Sequence, residues 1–325
     1  MNKEGFKKLC LPVKEDLLAW LYQQLSEYYG LANTVNGGDY LFFSGNCPTM
    51  LCAHLDTVHK RQPTKIVDDG EKVSSPMGIG GDDRCGVYAV LAVLKATEES
   101  GKRPYLFFST DEEVGGASTK RAAQEIKGRV AGVGYMIQID RRGKQDSVYY
   151  KCDNKQFKKF IDEHGFVEAQ GSFTDICNLS PVFDLASVNL SCGYYNEHHP
   201  EEYVRYAELQ GTIDKVVKII ADTKDDIIYP YCEAKPKPTQ NYYGNKGSHF
   251  WSKFYIKGDE VFTKYGSSAI YKKPNYNSPI SGVYLPAYRS FVVLDVKDDF
   301  IQIEYNGEKV WSTSWNFQPD YGDNY

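Results

Sequence analysis

The sequence predicts an α/β fold, with a mostly parallel mixed sheet covered by helices on both faces, followed by a small all-β barrel. Through residue 228, apolar runs of strand length alternate with segments whose apolar residues recur at helical spacing. This alternation is typical of a parallel sheet with helices on both sides. After residue 240 the chain carries short β-patterned runs instead, with an Asn-Gly turn signal at 306–307. We therefore expect a large domain at 1–228, a linker rich in Pro, Lys and Tyr at 229–240, and a barrel at 241–325.

The elements of the large domain are expected in the following order. A helix covers 13–29, because its leucines fall on one face and Gly30 can end it. The strands DYLFFSG and MLCAHLD follow, and a polar, turn-rich stretch covers 61–76. The next helix begins after Asp82 and Asp83, where apolar residues recur at i, i+3, i+4 and i+7. The remaining expected elements are strands at 104–110, 133–140 and 147–152, helices at 118–126 and 155–164, a strand that begins at 187, and a helix from Pro200 to about 218–221.

The composition excludes several classes of partner. The net charge is -5, from 38 basic and 43 acidic residues, which gives no basic field to hold nucleic acid. No run of about 20 apolar residues could span a membrane, and the first residues lack the apolar core of a signal peptide. The eight cysteines form no C-x-x-C pair. We expect a cytoplasmic protein with reduced thiols that binds neither nucleic acid nor a membrane.

Histidines and acidic residues stand where the predicted strands end. His54 and Asp56 close the strand MLCAHLD two residues apart, so they project from the same face. Each such residue also has an ordinary interpretation, as a helix cap, a solvated loop or a structural histidine. Their alignment favours a site instead, because ligands of open α/β sheets bind at the carboxyl ends of the strands. The other residues of this set are Asp82, Glu112, Glu113, Asp140 and His198.

This set of residue types is typical of a metal site. Two histidines and several carboxylates without a cysteine suit zinc, manganese or cobalt. A carboxylate shared between two cations makes a co-catalytic pair, and a nearby carboxylate that is not a ligand can carry a proton to a leaving amine. The neighbours Glu112 and Glu113 offer one of each role. Phosphate binding by the glycine-rich stretch at 78–81 is disfavoured, since two aspartates follow it and no P-loop pattern is present.

Five short motifs follow one another along the chain. They are HLD at 54–56, GDDRCG at 81–86, DEEVG at 111–115, ID at 139–140 and H-x-P-x-E at 198–202. In order and approximate spacing, from residue 13 to about 222, the chain resembles the zinc exopeptidase superfamily. That group includes peptidase T, carboxypeptidase G, succinyl-diaminopimelate desuccinylase, and the bacterial and glutamyl aminopeptidases. The resemblance implies a metallopeptidase or amidohydrolase with two zinc ions per chain, manganese or cobalt being the alternatives.

The resemblance also implies a role for each residue of the set. The bridging ligand would be Asp82, Glu112 would be the general base, and Asp56 would orient the first histidine. The metal ligands would be His54 and Asp140 at one ion, Glu113 and His198 at the other, and Asp82 at both.

Two points follow from the spacing of the last motif. His198 is preferred to His199 because it stands four residues before Glu202, as in the H-x-x-x-E pattern of the family, and His199 remains the alternative. Only 57 residues separate Asp140 from His198. The resemblance implies a lid or dimerisation domain for carboxypeptidases and desuccinylases, and this spacing leaves no room for one. In this respect the chain resembles the single-domain aminopeptidase branch.

The loop GSFTDI at 171–176 is a candidate wall of the substrate site. Asp175 could meet a free α-amine, and Thr174 stands beside it. His199 is the third candidate contact with the substrate. A plain turn without any role in substrate binding is the alternative interpretation of this loop.

The C-terminal β-patterned segment resembles bacterial Src-homology-3-like domains. The resemblance covers about fifty residues, from AIYKKPNYNSP to EKVWS. It implies a partner such as cell-wall peptide or glycan, for which exposed Tyr and Trp side chains are suited. A barrel that only packs on the large domain is the alternative.

From these observations we expect an enzyme that hydrolyses a peptide or amide bond next to a free terminus, and specifically an aminopeptidase. One alternative is a cell-wall peptide hydrolase or amidase targeted by the C-terminal barrel. Another is a non-catalytic protein that binds peptide or glycan on the same fold. The complete set of ligands together with Glu112 argues against the last alternative.

Overall fold

The structure is a computed structural model, and it separates the chain into two compact units, Met1–Lys235 and Pro236–Tyr325. The predicted linker at 229–240 lies partly outside the described residues, and the predicted domain boundaries stay predictions. The residues that the structure describes are 1–59, 61–234, 257–258, 260–263, 268–275, 277–286, 289–297, 300–313 and 316–319.

Helices and strands alternate through the first unit, as the hydrophobic patterns predict. Its helices are α1 (Lys3–Leu9), α2 (Lys14–Tyr29), α3 (Gly81–Thr97), α4 (Ala117–Glu125), α5 (Lys155–Asp162), α6 (Ile176–Phe183) and α7 (Tyr206–Asp222). Its strands are β1 (Thr34–Asn36), β2 (Tyr40–Phe43), β3 (Thr49–His54), β4 (Val67–Asp68), β5 (Lys72–Ser74), β6 (Tyr105–Ser109), β7 (Tyr135–Arg141), β8 (Asp146–Val148), β9 (Val167–Ala169), β10 (Ser187–Ser191), β11 (Tyr194–Tyr195) and β12 (Tyr203–Arg205).

The main sheet has eight strands in the order β1-β2-β6-β3-β7-β10-β8-β9. The central strands β6, β3, β7 and β10 are parallel to one another, whereas β1, β2 and β8 pair antiparallel with their inner neighbours. Strands β3, β6 and β10 are buried along their whole length. Such continuous burial is expected for a parallel sheet covered on both faces. The predicted fold class is confirmed.

Each face of the sheet has its own hydrophobic core. Strand β3 shows the division, because its side chains alternate between the two faces. Leu51 and Ala53 lie in the larger core with residues of α2, α3, α5 and α7. Met50 and Cys52 lie in the smaller core with residues of α4 and α6. Helices therefore cover both faces and fix the position of the strand ends.

The predicted start of the last helix at Pro200 is wrong. Helix α7 begins at Tyr206, and residues 203–205 form β12, which pairs with β5 in a second sheet of order β11-β12-β5-β4. Glu202, which would lie in the first turn of a helix that began at Pro200, is fully buried. It accepts hydrogen bonds from backbone N–H groups of a different loop, at Gly80 and Asp82. The helix therefore begins six residues later than the local pattern indicates.

Several short elements were not predicted. Strands β4 and β5 lie in the polar stretch at 61–76, and α1 precedes the first predicted helix. Helix α6 follows the loop GSFTDI, where the local pattern gave only a loop. Residues 141–197 form β8 to β11 with α5 and α6, so this connection contains no inserted domain.

The described part of the second unit consists of β-strands. The strands are β13 (Glu260–Thr263), β14 (Ser268–Tyr271), β15 (Pro279–Leu285), β16 (Ser290–Val292), β17 (Asp295–Lys297), β18 (Phe300–Tyr305), β19 (Glu308–Thr313) and β20 (Phe317–Pro319). A three-stranded sheet has the order β16-β13-β20, and a five-stranded sheet has the order β15-β14-β19-β18-β17. The predicted hairpin at 306–307 is confirmed, because Asn306 and Gly307 have positive φ and join β18 to β19. The resemblance to Src-homology-3-like domains stays a prediction.

Across the described residues of both units, no helix has the length and apolar character needed to cross a membrane.

Candidate metal centre

The predicted ligands meet at the carboxyl ends of the central parallel strands. His54 is the last residue of β3, and Asp140 lies next to the end of β7. Glu112 and Glu113 lie in a 3₁₀ turn that follows β6. The remaining two ligands come from a loop after β11, which carries His198, and from the irregular first turn of α3, where Asp82 has extended dihedral angles (φ -85°, ψ 101°).

The first group of ligand atoms surrounds the imidazole of His54. Its Nε2 atom lies 3.1 Å from Oδ1 of Asp82 and 3.6 Å from Oδ1 of Asp140. His54 is fully buried, and the two carboxylates are nearly so. In the part of the chain that the structure describes, these three residues form one of two groups whose atoms could hold a metal ion.

The second group uses the other oxygen of the same aspartate. Nε2 of His198 lies 3.3 Å from Oδ2 of Asp82 and 3.3 Å from Oε2 of Glu113. His198 has a φ of 67°, a left-handed conformation that is uncommon for a residue with a side chain. Asp82 therefore presents one oxygen to each group, which is the arrangement of a bridging ligand.

The ligand atoms fit a pair of divalent cations such as zinc. Ligand atoms at zinc distance in a tetrahedral site are roughly 3.3 Å apart, close to the spacings found here. One further observation favours a bound cation. Oε1 of Glu113 is buried and has no hydrogen-bond partner among the described residues. A buried carboxylate oxygen without a donor is costly unless a cation or water offsets it.

The pKa values of the acids indicate an excess of negative charge. Burial, together with the charge of Asp82, raises the pKa of Asp140 to about 7. Burial raises the pKa of Glu112 to about 9, with His54 opposing the shift and the carboxylates of Asp140 and Asp175 adding to it. Acids crowded in this way hold protons that a cation can displace, so we expect metal binding to release protons.

Asp56 connects the first histidine to the loop that carries the two glutamates. The Nδ1 atom of His54 lies 3.0 Å from the backbone carbonyl of Asp56, which can only accept a hydrogen bond. The proton therefore resides on Nδ1 and leaves Nε2 with a lone pair for a metal. The carboxylate of Asp56 accepts hydrogen bonds from the backbone N–H groups of Glu112 (3.2 Å) and Glu113 (3.1 Å).

Glu202 is a positioning residue that sequence analysis did not identify. Its Oε2 accepts a hydrogen bond from the Gly80 N–H (2.7 Å), and its Oε1 accepts one from the Asp82 N–H (3.0 Å). His59 Nε2 lies 2.9 Å from the same carboxylate. The H-x-x-x-E spacing pointed to this residue, but only as a marker for choosing the histidine.

We expect Glu202→Gln to lower the affinity for zinc by roughly 10- to 100-fold, as loss of a group that orients a ligand does. The two N–H groups bind different oxygens, and an amide nitrogen cannot accept a hydrogen bond. Competition with a chelating dye measures the affinity. Glu201→Gln, at the exposed neighbouring position, is the matched control. Equal affinities in the two variants would contradict this role.

The structure places the candidate substrate residues beside or beneath the ligands. Thr174 Oγ1 donates a hydrogen bond to Oδ2 of Asp140 at 2.8 Å, so it orients a predicted ligand. Asp175 is fully buried, and its oxygens accept hydrogen bonds from the hydroxyls of Ser109 and Thr119, both at 2.5 Å. Asp175 therefore lies behind the wall of the site rather than on its surface. His198, not His199, reaches the two carboxylates of the second group.

We expect Asp175→Ala to lower the free energy of unfolding by about 1–3 kcal/mol, because two buried hydroxyls lose their acceptor. A residue that only contacts substrate would instead leave stability unchanged and raise KM. Chemical denaturation measures the effect, with the exposed Asp226→Ala as the control. Unchanged stability would contradict the structural role.

Comparison with known proteins identifies the fold. No family model matches the chain, and the search of curated protein sequences found no match. Among solved structures, the chain is similar to a tripeptidase from Staphylococcus aureus, with 14% identity, a TM-score of 0.51, and coverage of 66% of this chain and 95% of that one. It is also similar to an aminopeptidase from the archaeon Desulfurococcus kamchatkensis, with 13% identity, a TM-score of 0.53, and coverage of 68% and 95%. A third similar structure is a TET aminopeptidase from a marine sediment archaeon of the Thaumarchaeota, with 13% identity, a TM-score of 0.51, and coverage of 67% and 96%. The chain therefore has the fold of these peptidase structures.

Proposed function

We propose that this protein is a metal-dependent peptidase that removes a residue from a free amino terminus. The observation that carries the proposal is the position of Asp82 between two histidine–carboxylate groups. A carboxylate that faces two such groups is suited to hold two divalent cations near one another. Three of the similar structures are of a tripeptidase and two aminopeptidases, which supports an exopeptidase.

The residues that would hold the metals are those brought together by the structure. His54 and Asp140 would bind one ion, Glu113 and His198 would bind the other, and Asp82 would bind both. We propose zinc as the metal, with manganese and cobalt as alternatives, because the ligands are nitrogen and oxygen atoms only. When bound, the pair would supply Lewis acidity to a substrate carbonyl and lower the pKa of a water molecule.

Glu112 is the proposed general base. It is adjacent to a proposed ligand without belonging to either group of ligand atoms, so its carboxylate remains available for proton transfer. Asp56 fixes its backbone through the hydrogen bond to the N–H group. Burial raises its pKa to about 9 in the metal-free chain, so Glu112 holds a proton there at neutral pH. Bound cations would favour the ionised carboxylate, and this form is the one that can act as a base. In the proposed reaction Glu112 takes a proton from the attacking water and later donates it to the leaving amine.

Short peptides with free and acetylated amino termini test the proposal. We expect the free peptides to be cleaved one residue at a time when zinc, manganese or cobalt is supplied, and the acetylated peptides to resist cleavage. Removal of metal by a chelator should stop the reaction, and added metal should restore it. Equal cleavage of the free and the acetylated peptides would contradict aminopeptidase activity. Absence of cleavage with all three metals would contradict the peptidase itself and favour a binding protein.

A further inference from the structure

A cavity of about 450 Å³ lies between the segment after β8, the loop before α6 and α6 itself. Its size falls in the range of roughly 300–1,000 Å³ that small-ligand pockets occupy. Four aromatic side chains contribute to its lining, those of Tyr149, Tyr150, Phe173 and Tyr231. Tyr149 is buried, and Phe173 is exposed at the edge of the loop. The cavity therefore offers flat apolar surface to a ligand that enters from solvent.

One wall of this cavity is linked by hydrogen bonds to Asp140, a proposed metal ligand. Asn189 accepts a hydrogen bond from the Asp140 N–H (2.9 Å) and donates one to the Asp140 carbonyl (2.7 Å). The same amide donates to the hydroxyl of Tyr150 at 3.0 Å. Thr174, next to Phe173 in the chain, donates to the carboxylate of Asp140. Two lining residues are therefore linked to Asp140 through one intervening residue each, Tyr150 through Asn189 and Phe173 through Thr174.

Another part of the cavity lining lies against Gly116, at the end of the loop that carries Glu112 and Glu113. A side chain added at Gly116 would meet the amide of Asn178 at 3.0 Å and the ring of Phe173 at 3.4 Å. Burial raises the pKa of the Cys177 thiol to about 11, and the charge of Glu112 adds to that shift. The lining therefore reaches the end of the loop that carries the proposed general base, as well as the residues that bind Asp140.

We infer that this cavity receives the side chain of the amino-terminal residue of the substrate, and that it selects large apolar and aromatic side chains. This inference rests on the proposed aminopeptidase function. The lining carries two charged residues, Lys151 and Glu233, which are exposed and of opposite sign. Among the lining residues there is therefore no net charge to select a basic or acidic substrate residue.

Aminoacyl-coumarin amides of phenylalanine and alanine test the inference. We expect kcat/KM to be at least about tenfold higher for the phenylalanine amide, because large apolar contacts discriminate by roughly that factor or more. Cys177→Trp and Ser172→Trp add an indole to the lining and should lower this ratio by about tenfold or more, with the alanine amide little affected. Ser172 is exposed, so its variant should fold even if the other does not. Ala221→Trp, at an exposed position on α7 outside the lining, is the control and should keep the wild-type ratio.

Binding provides a readout independent of turnover. Calorimetry of Phe-Ala and Ala-Ala dipeptides with Glu112→Gln should show tighter binding of Phe-Ala, and the difference should disappear when Ser172→Trp is added. Cleavage without a preference for phenylalanine, or equal loss for both amides in the tryptophan variants, would overturn the inference and leave the proposed function intact. Absence of all amide cleavage with zinc, manganese and cobalt would overturn both.

Discussion

Glu112→Gln should lower kcat by about 100- to 10,000-fold while the metal content stays at the wild-type value. Glutamine has nearly the same shape, but its amide cannot take a proton from water at neutral pH. Glu112 belongs to neither group of ligand atoms, so its replacement should leave metal binding intact. Steady-state kinetics on the phenylalanine amide and elemental mass spectrometry of the same sample measure the two quantities.

A substitution of Glu113, the neighbour of Glu112, should have a different effect. Glu113→Gln should lose metal as well as activity, because Oε2 of Glu113 belongs to the second ligand group. Glu15→Gln, at an exposed position in α2, should change neither. A Glu112→Gln enzyme that keeps its kcat would contradict the role of general base. One that loses its metal would show that Glu112 is a ligand.

His198→Ala should remove about one metal ion per chain and lower kcat/KM by more than about 100-fold. Loss of a group that merely orients a ligand already costs 10- to 100-fold, and the loss of a ligand should cost more. The imidazole of His198 lies 3.3 Å from both Asp82 and Glu113, so its removal opens the second group. Elemental analysis and kinetics measure the change.

The adjacent histidine supplies a close control. His199→Ala should keep its metal and nearly all of its activity, because His199 belongs to neither ligand group. The two variants remove the same side chain from neighbouring positions of one loop. Loss of metal in His199→Ala with retention in His198→Ala would reverse the assignment made from the H-x-x-x-E spacing and from the structure.

Much of the fold was predictable because the signals are local. The apolar runs at 50–56 and 133–140 contain the strands β3 (Thr49–His54) and β7 (Tyr135–Arg141). Strand β3 ends at His54, so Asp56 lies just beyond it and not within the predicted strand. Parallel strands bring their carboxyl ends to one edge, so residues far apart in the chain were expected to meet. The structure brings Asp82, Asp140 and His198 into contact distance at that edge.

The remaining features depend on contacts between distant segments, which no local pattern contains. The local sequence predicts that Glu202 is an acid in the first turn of a helix. In the structure, it accepts hydrogen bonds from backbone N–H groups about 120 residues earlier in the chain. The local sequence places Asp175 in a loop, where it could meet the α-amine of a substrate. In the structure, hydroxyls from β6 and α4 donate hydrogen bonds to both of its oxygens beneath the surface. In both cases tertiary hydrogen bonds, rather than local propensity, decide where the carboxylate lies.

The most direct test of the two-metal site is the number of metal ions per chain. Elemental mass spectrometry would be performed on wild-type protein and on Asp82→Asn, each loaded with zinc and freed of excess metal. We expect about two zinc ions per wild-type chain and fewer than one in Asp82→Asn, because this carboxylate contributes one oxygen to each group. A wild-type chain that retains no zinc, manganese or cobalt, or an Asp82→Asn chain that keeps two ions, would contradict the proposed centre.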